Sequence, residues 1–482
     1  MKLTEICCGA IIIKKPVNKL AKRGGVKLKA KKLFALLLAM IMMLSLVACG
    51  SNTQTVDSGS NSPNDAVSTS GDATAEVVGA GSPFEGELID TREFTIRLVM
   101  NGSDDLHQAA AQLWQTKYPN ANVEKIDTAW GTGGSDCRNK QLIMLSGGEQ
   151  LDIVKVVWGK EFFEKHIITD ITDKVEQFDY WEYLTEGQKQ RMNLDGKYYG
   201  ATIFNNSVFL FYNKDLLEQL GVENPPDTIE EFEAIGEKLS AAGLKTPDGK
   251  QVYLTNFEGG NWNTDYWLWA FGGKQMNEDY TETLINSPES IIAYKHMQSY
   301  VEKGWAPQID GSGDQAWLNG QLVFYVTGDW VIDSTNKAGI NAGYTIMPAG
   351  ENGVRTTSVG GCEFCVCKAS KYQDESFDWL RALTSDEFQK IVTRSVTNVQ
   401  FYDDAEMQTA WKDSGLYEGK MAMRDQLAYT TYNFLEAPYS YPDAFSIYNN
   451  ALQKILTAMQ DVTEVMNDAA KQINTGLAKY HN

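Results

Sequence analysis

Phe94-Thr95-Ile96-Arg97-Leu98-Val99-Met100, Asn122-Val123-Glu124-Lys125-Ile126 and Asp152-Ile153-Val154-Lys155-Val156-Val157 are three strand-like runs rich in β-branched residues. Two stretches of helical periodicity separate them. One covers residues 106–114 and stops before Tyr118-Pro119-Asn120; the other covers about 138–145 and stops at Gly147-Gly148. A parallel strand pair needs a crossover, and a helix supplies it, so this alternation specifies a doubly wound α/β sheet with mostly parallel strands. Ligands bind such sheets beyond the carboxyl ends of the strands. Here that places them at residues 101–104, Trp130 and Trp158.

Downstream, a second strand-like run, Val208-Phe209-Leu210-Phe211-Tyr212-Asn213, follows Gly196-Lys197-Tyr198-Tyr199-Gly200. Pro225-Pro226-Asp227-Thr228 then opens a helix, with Thr228 and Glu231 at capping-box spacing. From Asp443 onward Ala451, Ile455, Met459 and Met466 recur at helical spacing.

Upstream, the charge is unevenly spread. The formal net charge is −20, yet residues 1–48 hold ten Lys/Arg and one acid, Glu5, which leaves 33 bases against 62 acids in the remainder. A body this acidic repels phosphate backbones and anionic headgroups, so nucleic acid is excluded as a partner. Lys27, Lys29, Lys31 and Lys32 precede the apolar run 33–44, followed by Leu46-Val47-Ala48-Cys49-Gly50. A basic region, an apolar stretch too short for a comfortable span and a small-residue exit describe a secretory signal. Its end resembles the lipobox of bacterial lipoproteins, which implies that 1–48 is removed and Cys49 carries the lipid. The segment before Lys27 makes the signal unusually long, and the start is expected near Val26. Residues 51–83 are Ser/Thr/Asn/Asp/Gly/Ala-rich and nearly free of large apolar side chains. The stretch 49–89 is therefore expected to be a disordered tether.

Further pieces follow in order behind the lipobox: Ser146-Gly147-Gly148-Glu149-Gln150-Leu151-Asp152, Phe211-Tyr212-Asn213-Lys214-Asp215, Gly272-Gly273, Phe324-Tyr325-Val326-Thr327-Gly328-Asp329-Trp330 and Leu383-Thr384-Ser385-Asp386-Glu387. With Tyr118-Pro119-Asn120 and Gly196-Lys197-Tyr198-Tyr199-Gly200, they resemble the extracellular sugar-type solute-binding proteins of ABC importers. The resemblance implies a two-lobed periplasmic-binding-protein-like fold of type II. Each lobe would be a mostly parallel sheet flanked by helices, with a hinge between lobes. By that analogy residues 90–203 plus 349–398 form lobe 1, and 204–348 plus 399–482 form lobe 2. It also implies a monomer without cofactor that closes on a solute of the carbohydrate class and docks on permease subunits.

No constellation for an enzyme is present: no G-x-S-x-G elbow, no H-E-x-x-H and no Walker loop, and His107, His166, His296 and His481 lie far apart. Among 62 acids, two carboxylates could still flank a glycosidic bond. A secreted carbohydrate-active hydrolase therefore stays open, as does a carbohydrate receptor without transport. Cys362-Glu363-Phe364-Cys365-Val366-Cys367, with Cys137 elsewhere, could bind metal or oxidise, but the bland reading is a strand of small buried residues. Asp310-Gly311-Ser312-Gly313-Asp314 lacks the later positions of a calcium loop and is expected to cap a helix at Asp314.

Twelve tryptophans give the binding reading its content. A sugar offers a CH face that stacks on an aromatic plane, and hydroxyls that need polar partners. Trp130, Trp158, Trp262 and Trp330 stand beside Gly, Asn or Asp where elements should end. Trp262 and Trp330, with Asp329 beside it, match family segments in which an aromatic stacks on sugar. Asn205 or Asn206, Lys160 and Phe445 fall where the family places further contacts. Trp267 and Trp269 are expected to pack a helix, and Trp181, Trp305, Trp379 and Trp411 to be structural.

Overall fold

β1 (Thr95–Met100), β2 (Asn122–Asp127) and β3 (Ile153–Val156) form in the computed structural model where the pattern placed them. The structure describes residues 76–480, apart from 101–103, 130–133, 157–158, 203–205, 258–260, 309–312, 362, 394–397 and 432–442. β1 pairs in parallel with β2, Thr95 opposite Asn122, and with β3, Leu98 opposite Ile153. β9 (Glu363–Val366) then adds antiparallel to β3, and β4 (Ala201–Thr202) antiparallel to β9, giving the order β2-β1-β3-β9-β4. Both faces of this sheet are covered. Ile96, Leu98 and Met100 join a cluster with Trp114, Tyr118 and Trp379, whereas Val99, Val154 and Val156 join one with Cys137 and Met144. The helix Asp104–Gln115 buries Ala109, Ala110, Leu113 and Trp114, a single stripe facing the first cluster.

The second sheet departs from the expectation of mostly parallel strands. β5 (Phe209–Asn213) lies between β6 (Phe324–Thr327) and β7 (Ala342–Thr345) and runs antiparallel to both. β6 and β7 therefore point the same way, joined by the helix Ile332–Ala338, and the crossover unit survives with a strand inserted against it. β5 enters from the first sheet, so its direction is not set by that crossover. Its alternation divides two cores. Leu210 faces Trp267, Tyr294 and Trp305; Phe209 and Phe211 face Trp317 and Trp411. All six tryptophans assigned to packing are buried.

Three local expectations change. Residues 76–89 belong to the folded body, not to the tether: Val78 and Phe84 are buried in the first core, and Lys117 and Arg381 lie over the Phe84 ring. Val78 and Phe84, with Ile89 packed at the edge, suffice to dock a short turn, while Val77 and Leu88 stay exposed. Met459 stands at φ 52° between the helices Ala444–Leu456 and Val462–Tyr480, so the C-terminal stretch is two helices; Ala451, Ile455 and Met466 still enter the core. Asp314 is the first residue of the helix Asp314–Leu318 rather than its cap, and its carboxylate accepts the Tyr325 hydroxyl at 2.5 Å. At Thr228 the capping expectation holds in part. Thr228 Oγ1 accepts the Glu231 N–H at 3.3 Å, but Glu231 reaches back to the N–H of Asp227.

The docked turn has a pH signature. Burial works to raise the pKa of Glu87, but hydrogen bonds from Arg381 and Lys117 outweigh it and hold the carboxyl below the usual range. Glu161 is held down the same way by Arg138 and Lys165, against its burial. A depressed folded pKa contributes stability above the unfolded value and loses it as pH falls through the folded one. The melting temperature should therefore drop as pH is lowered from about 5 toward 3. Glu87→Gln should flatten that slope, read by melting curves across a buffer series; an unchanged slope would remove Glu87 from the account.

Candidate functional site

Gly360 lies on the strand that leads into β9, and its N–H donates to Asn206 O at 2.7 Å. A Cβ there would stand 2.1 Å from Asn206 Oδ1 and 2.4 Å from the Trp262 ring, so only glycine lets both side chains lie on this backbone. Trp262 sits in the first turn of the helix Asn261–Ala270. That helix is tied at two points. Asn263 Nδ2 donates to Val326 O at 2.5 Å at the end of β6, and Asp265 Oδ2 accepts from Ser358 Oγ at 3.1 Å on the strand β8 (Thr357–Ser358).

Trp330 follows β6 in the turn Asp329–Val331. Its ring folds back over Gly328, where a Cβ would come within 1.9 Å. The rings of Trp262 and Trp330 meet edge to face, centroids 6.4 Å apart at 83°. Trp262 is half-buried, while Trp330 is 51% exposed. A half-exposed tryptophan is the informative kind of exposure, since scattered small apolar side chains on a surface mean little. Two perpendicular rings, with the carboxamide of Asn206 beside one of them, form a corner able to stack a ring and bind its hydroxyls.

Of the other expected contacts, Asp329 has its Oδ2 held by the buried Lys420 ammonium at 2.5 Å. Phe445 is buried in the first turn of Ala444–Leu456. Lys160 falls in the helix Gly159–Glu164, but its side chain, like Trp130, Trp158, Asn205 and Cys49, lies outside the described residues. Sequence reading did not single out Gly360, Asn263 or Lys420. Their signal is packing against partners that only the fold brings near. Hollows of about 600 Å3 beside Ile447 and Lys471, and of about 400 Å3 beside Trp269 and Val354, lie elsewhere and take no lining from the first sheet.

The cysteines behave as core. Cys365 and Cys367 are buried free thiols in the cluster that also holds Cys137, and burial pushes both thiols up in pKa. Cys362 lies outside the described residues. Among the described residues, no three His, Cys, Asp or Glu side chains are grouped to hold a metal ion, and no helix is long and apolar enough to cross a membrane.

The family model for the bacterial extracellular solute-binding protein matches residues 93–412. The chain belongs to that family. A probable ABC transporter-binding protein of Deinococcus radiodurans is 24% identical over 212 residues, covering 42% of this chain and 50% of that protein. A maltodextrin-binding protein of Bacillus subtilis is 24% identical over 41% of this chain and 49% of its own length. The chain thus spans about half the length of these curated relatives. Among solved structures, an ABC substrate-binding protein of Listeria monocytogenes in complex with cycloalternan superposes with a TM-score of 0.69, at 20% identity, over 80% of this chain and all of that one. That likeness places this member of the family in the two-lobed type II fold.

Proposed function

We propose that this solute-binding protein is the extracellular receptor of an ABC importer and captures a carbohydrate by closing its lobes on the Trp262–Trp330 corner. The corner is the observation that carries the reading: two fixed aromatic planes, one half exposed, with an amide beside them. The names of the relatives support it, since they include a maltodextrin-binding protein and a cycloalternan complex. Lobe 1 takes residues 76–203 plus 349–398, and lobe 2 takes 204–348 plus 399–482. Asn206, Asn205, Trp130, Trp158, Lys160 and Phe445 supply further contacts, and Cys49 carries the lipid that keeps the protein at the outer face of the membrane. The mechanism has no covalent step. Solute that touches both lobes favours the closed state by its differential affinity, and the closed form is what the permease receives.

A thermal-shift screen over maltooligosaccharides and other carbohydrates tests the ligand class, because a ligand that binds only the native state raises the melting temperature. Trp262→Ala and Trp330→Ala should each weaken binding of the best hit by about 1–3 kcal/mol without unfolding the protein. Calorimetry that returns wild-type affinity for both variants would sink the site, and release of product from an oligosaccharide would replace the receptor with a hydrolase.

A further inference from the structure

The helix Tyr417–Leu427 supplies nothing to the aromatic corner directly, yet it buries Lys420, Met423 and Gln426, three residues apart and so on one face. Each side chain holds a different part of the site's frame. Lys420 Nζ donates to Asp329 Oδ2 at 2.5 Å, in the turn that presents Trp330. Met423 Sδ accepts the N–H of Ser207 at 3.2 Å, one residue past Asn206 on the strand entering the second sheet. Gln426 spans the chain that leaves that sheet. Its Oε1 accepts the Met347 N–H at 2.8 Å, and its Nε2 donates to Arg355 O at 2.9 Å and Thr357 Oγ1 at 3.0 Å.

The two crossing strands are also joined to each other, because the hydroxyls of Ser207 and Thr357 lie 2.7 Å apart. Just past the helix, β10 (Thr430–Thr431) pairs with β8, Thr357 opposite Thr430. The same face is tightly packed: a Cβ at Gly419 would stand 2.2 Å from Ile332 Cδ1. A rigid rod gripped at both ends transmits displacement rather than absorbing it. Gln426 is fully buried with both ends of its amide bonded to the strand that leaves the second sheet, so moving that strand away from the helix would leave buried polar groups unpaired.

We infer that this helix is a positioning element that couples the crossing strands to the Trp330 turn, with Gln426 at the hinge end and Lys420 at the aromatic end. Ligand affinity is then set partly by residues that touch no ligand. This deepens the proposed function and rests on it only where affinity is read; the coupling itself is tested without ligand.

The test is 19F spectroscopy of the full chain labelled with 5-fluorotryptophan, with the Trp330 line assigned by its loss in Trp330→Phe. Gln426→Met removes both hydrogen-bonding ends at nearly constant length. Thr357→Val removes only the hydroxyl partner and serves if the first variant fails to fold. In either ligand-free variant the Trp330 line should move by more than its width while the lines of Trp114 and Trp379, in the first core, stay put. A Trp330 line that stays put while the melting temperature falls makes the helix merely structural and overturns the inference. With maltotriose as probe, Thr357→Val should raise Kd about 3–30-fold. A moved line in a protein that never binds maltotriose supports the coupling and counts against the carbohydrate reading. An unmoved line with wild-type Kd overturns the coupling and leaves that reading intact.

Discussion

Arg191→Met should destabilise the protein by about 3–5 kcal/mol, the range for stripping one partner from a buried ion pair. Arg191 Nε donates to Glu363 Oε1 at 2.9 Å, with the two side chains 7% and 1% exposed. The same guanidinium donates to Val359 O and Gly361 O, each at 3.1 Å, on either side of Gly360. Methionine keeps most of the packing volume but abandons a carboxylate in a dry interior together with two carbonyls. Glu363 Oε2 already has no hydrogen-bond partner, so the carboxylate has little left to lean on. The double variant Arg191→Met/Glu363→Gln should recover a large part of the loss, because the cost lies in the stranded charge more than in the missing bond. Urea denaturation of the four proteins in that cycle is the measurement. A loss below about 1 kcal/mol for the single variant would mean that water reaches the pair.

Arg191 also marks the limit of what the chain disclosed before folding. Its partner is 172 residues away in sequence, and nothing in Gln190-Arg191-Met192 distinguishes a buried arginine from a solvated one. The same holds for Lys420 and Asp329, 91 residues apart. By contrast β1, β2 and β3 were legible, because each is a short run carrying Val or Ile bounded by turn residues and the helices between them fix a parallel crossover locally. The direction of β5 was not, since antiparallel pairing to β6 and β7 depends on segments more than 100 residues downstream. Phe84 was lost in a polar stretch whose composition outweighed one aromatic residue, although that ring sits under two cations in the first core.

For the site, the resemblance brought out Trp262, Trp330 and Asn206 one at a time. Their juxtaposition, and the glycines at 328 and 360 that make room for the rings, are properties of the fold. A glycine beside a strand reads from sequence as a turn or a bulge; here it is the bare backbone against which an indole and an amide are seated.

That seating predicts the second large effect. Gly360→Ala should weaken binding of the carbohydrate found in the screen by about 1–3 kcal/mol, as overpacking a tight contact does. The methyl would overlap the ring edge of Trp262 and the amide oxygen of Asn206. Asn206 can swing its amide away cheaply. Trp262 cannot: its ring is edge-on to Trp330, and its helix is fixed through Asn263 to β6 and through Asp265 to β8. The ring must therefore tilt, and the corner opens on the side where a sugar would stack. Because no contacting group is deleted, affinity should fall while the melting temperature shifts by only a few degrees, which separates this variant from Arg191→Met. Calorimetry paired with a melting curve reads both. If Gly360→Ala binds as wild type does, the Trp262 ring is free to adapt, and the corner is not the rigid platform that its two glycines and its anchored helix describe.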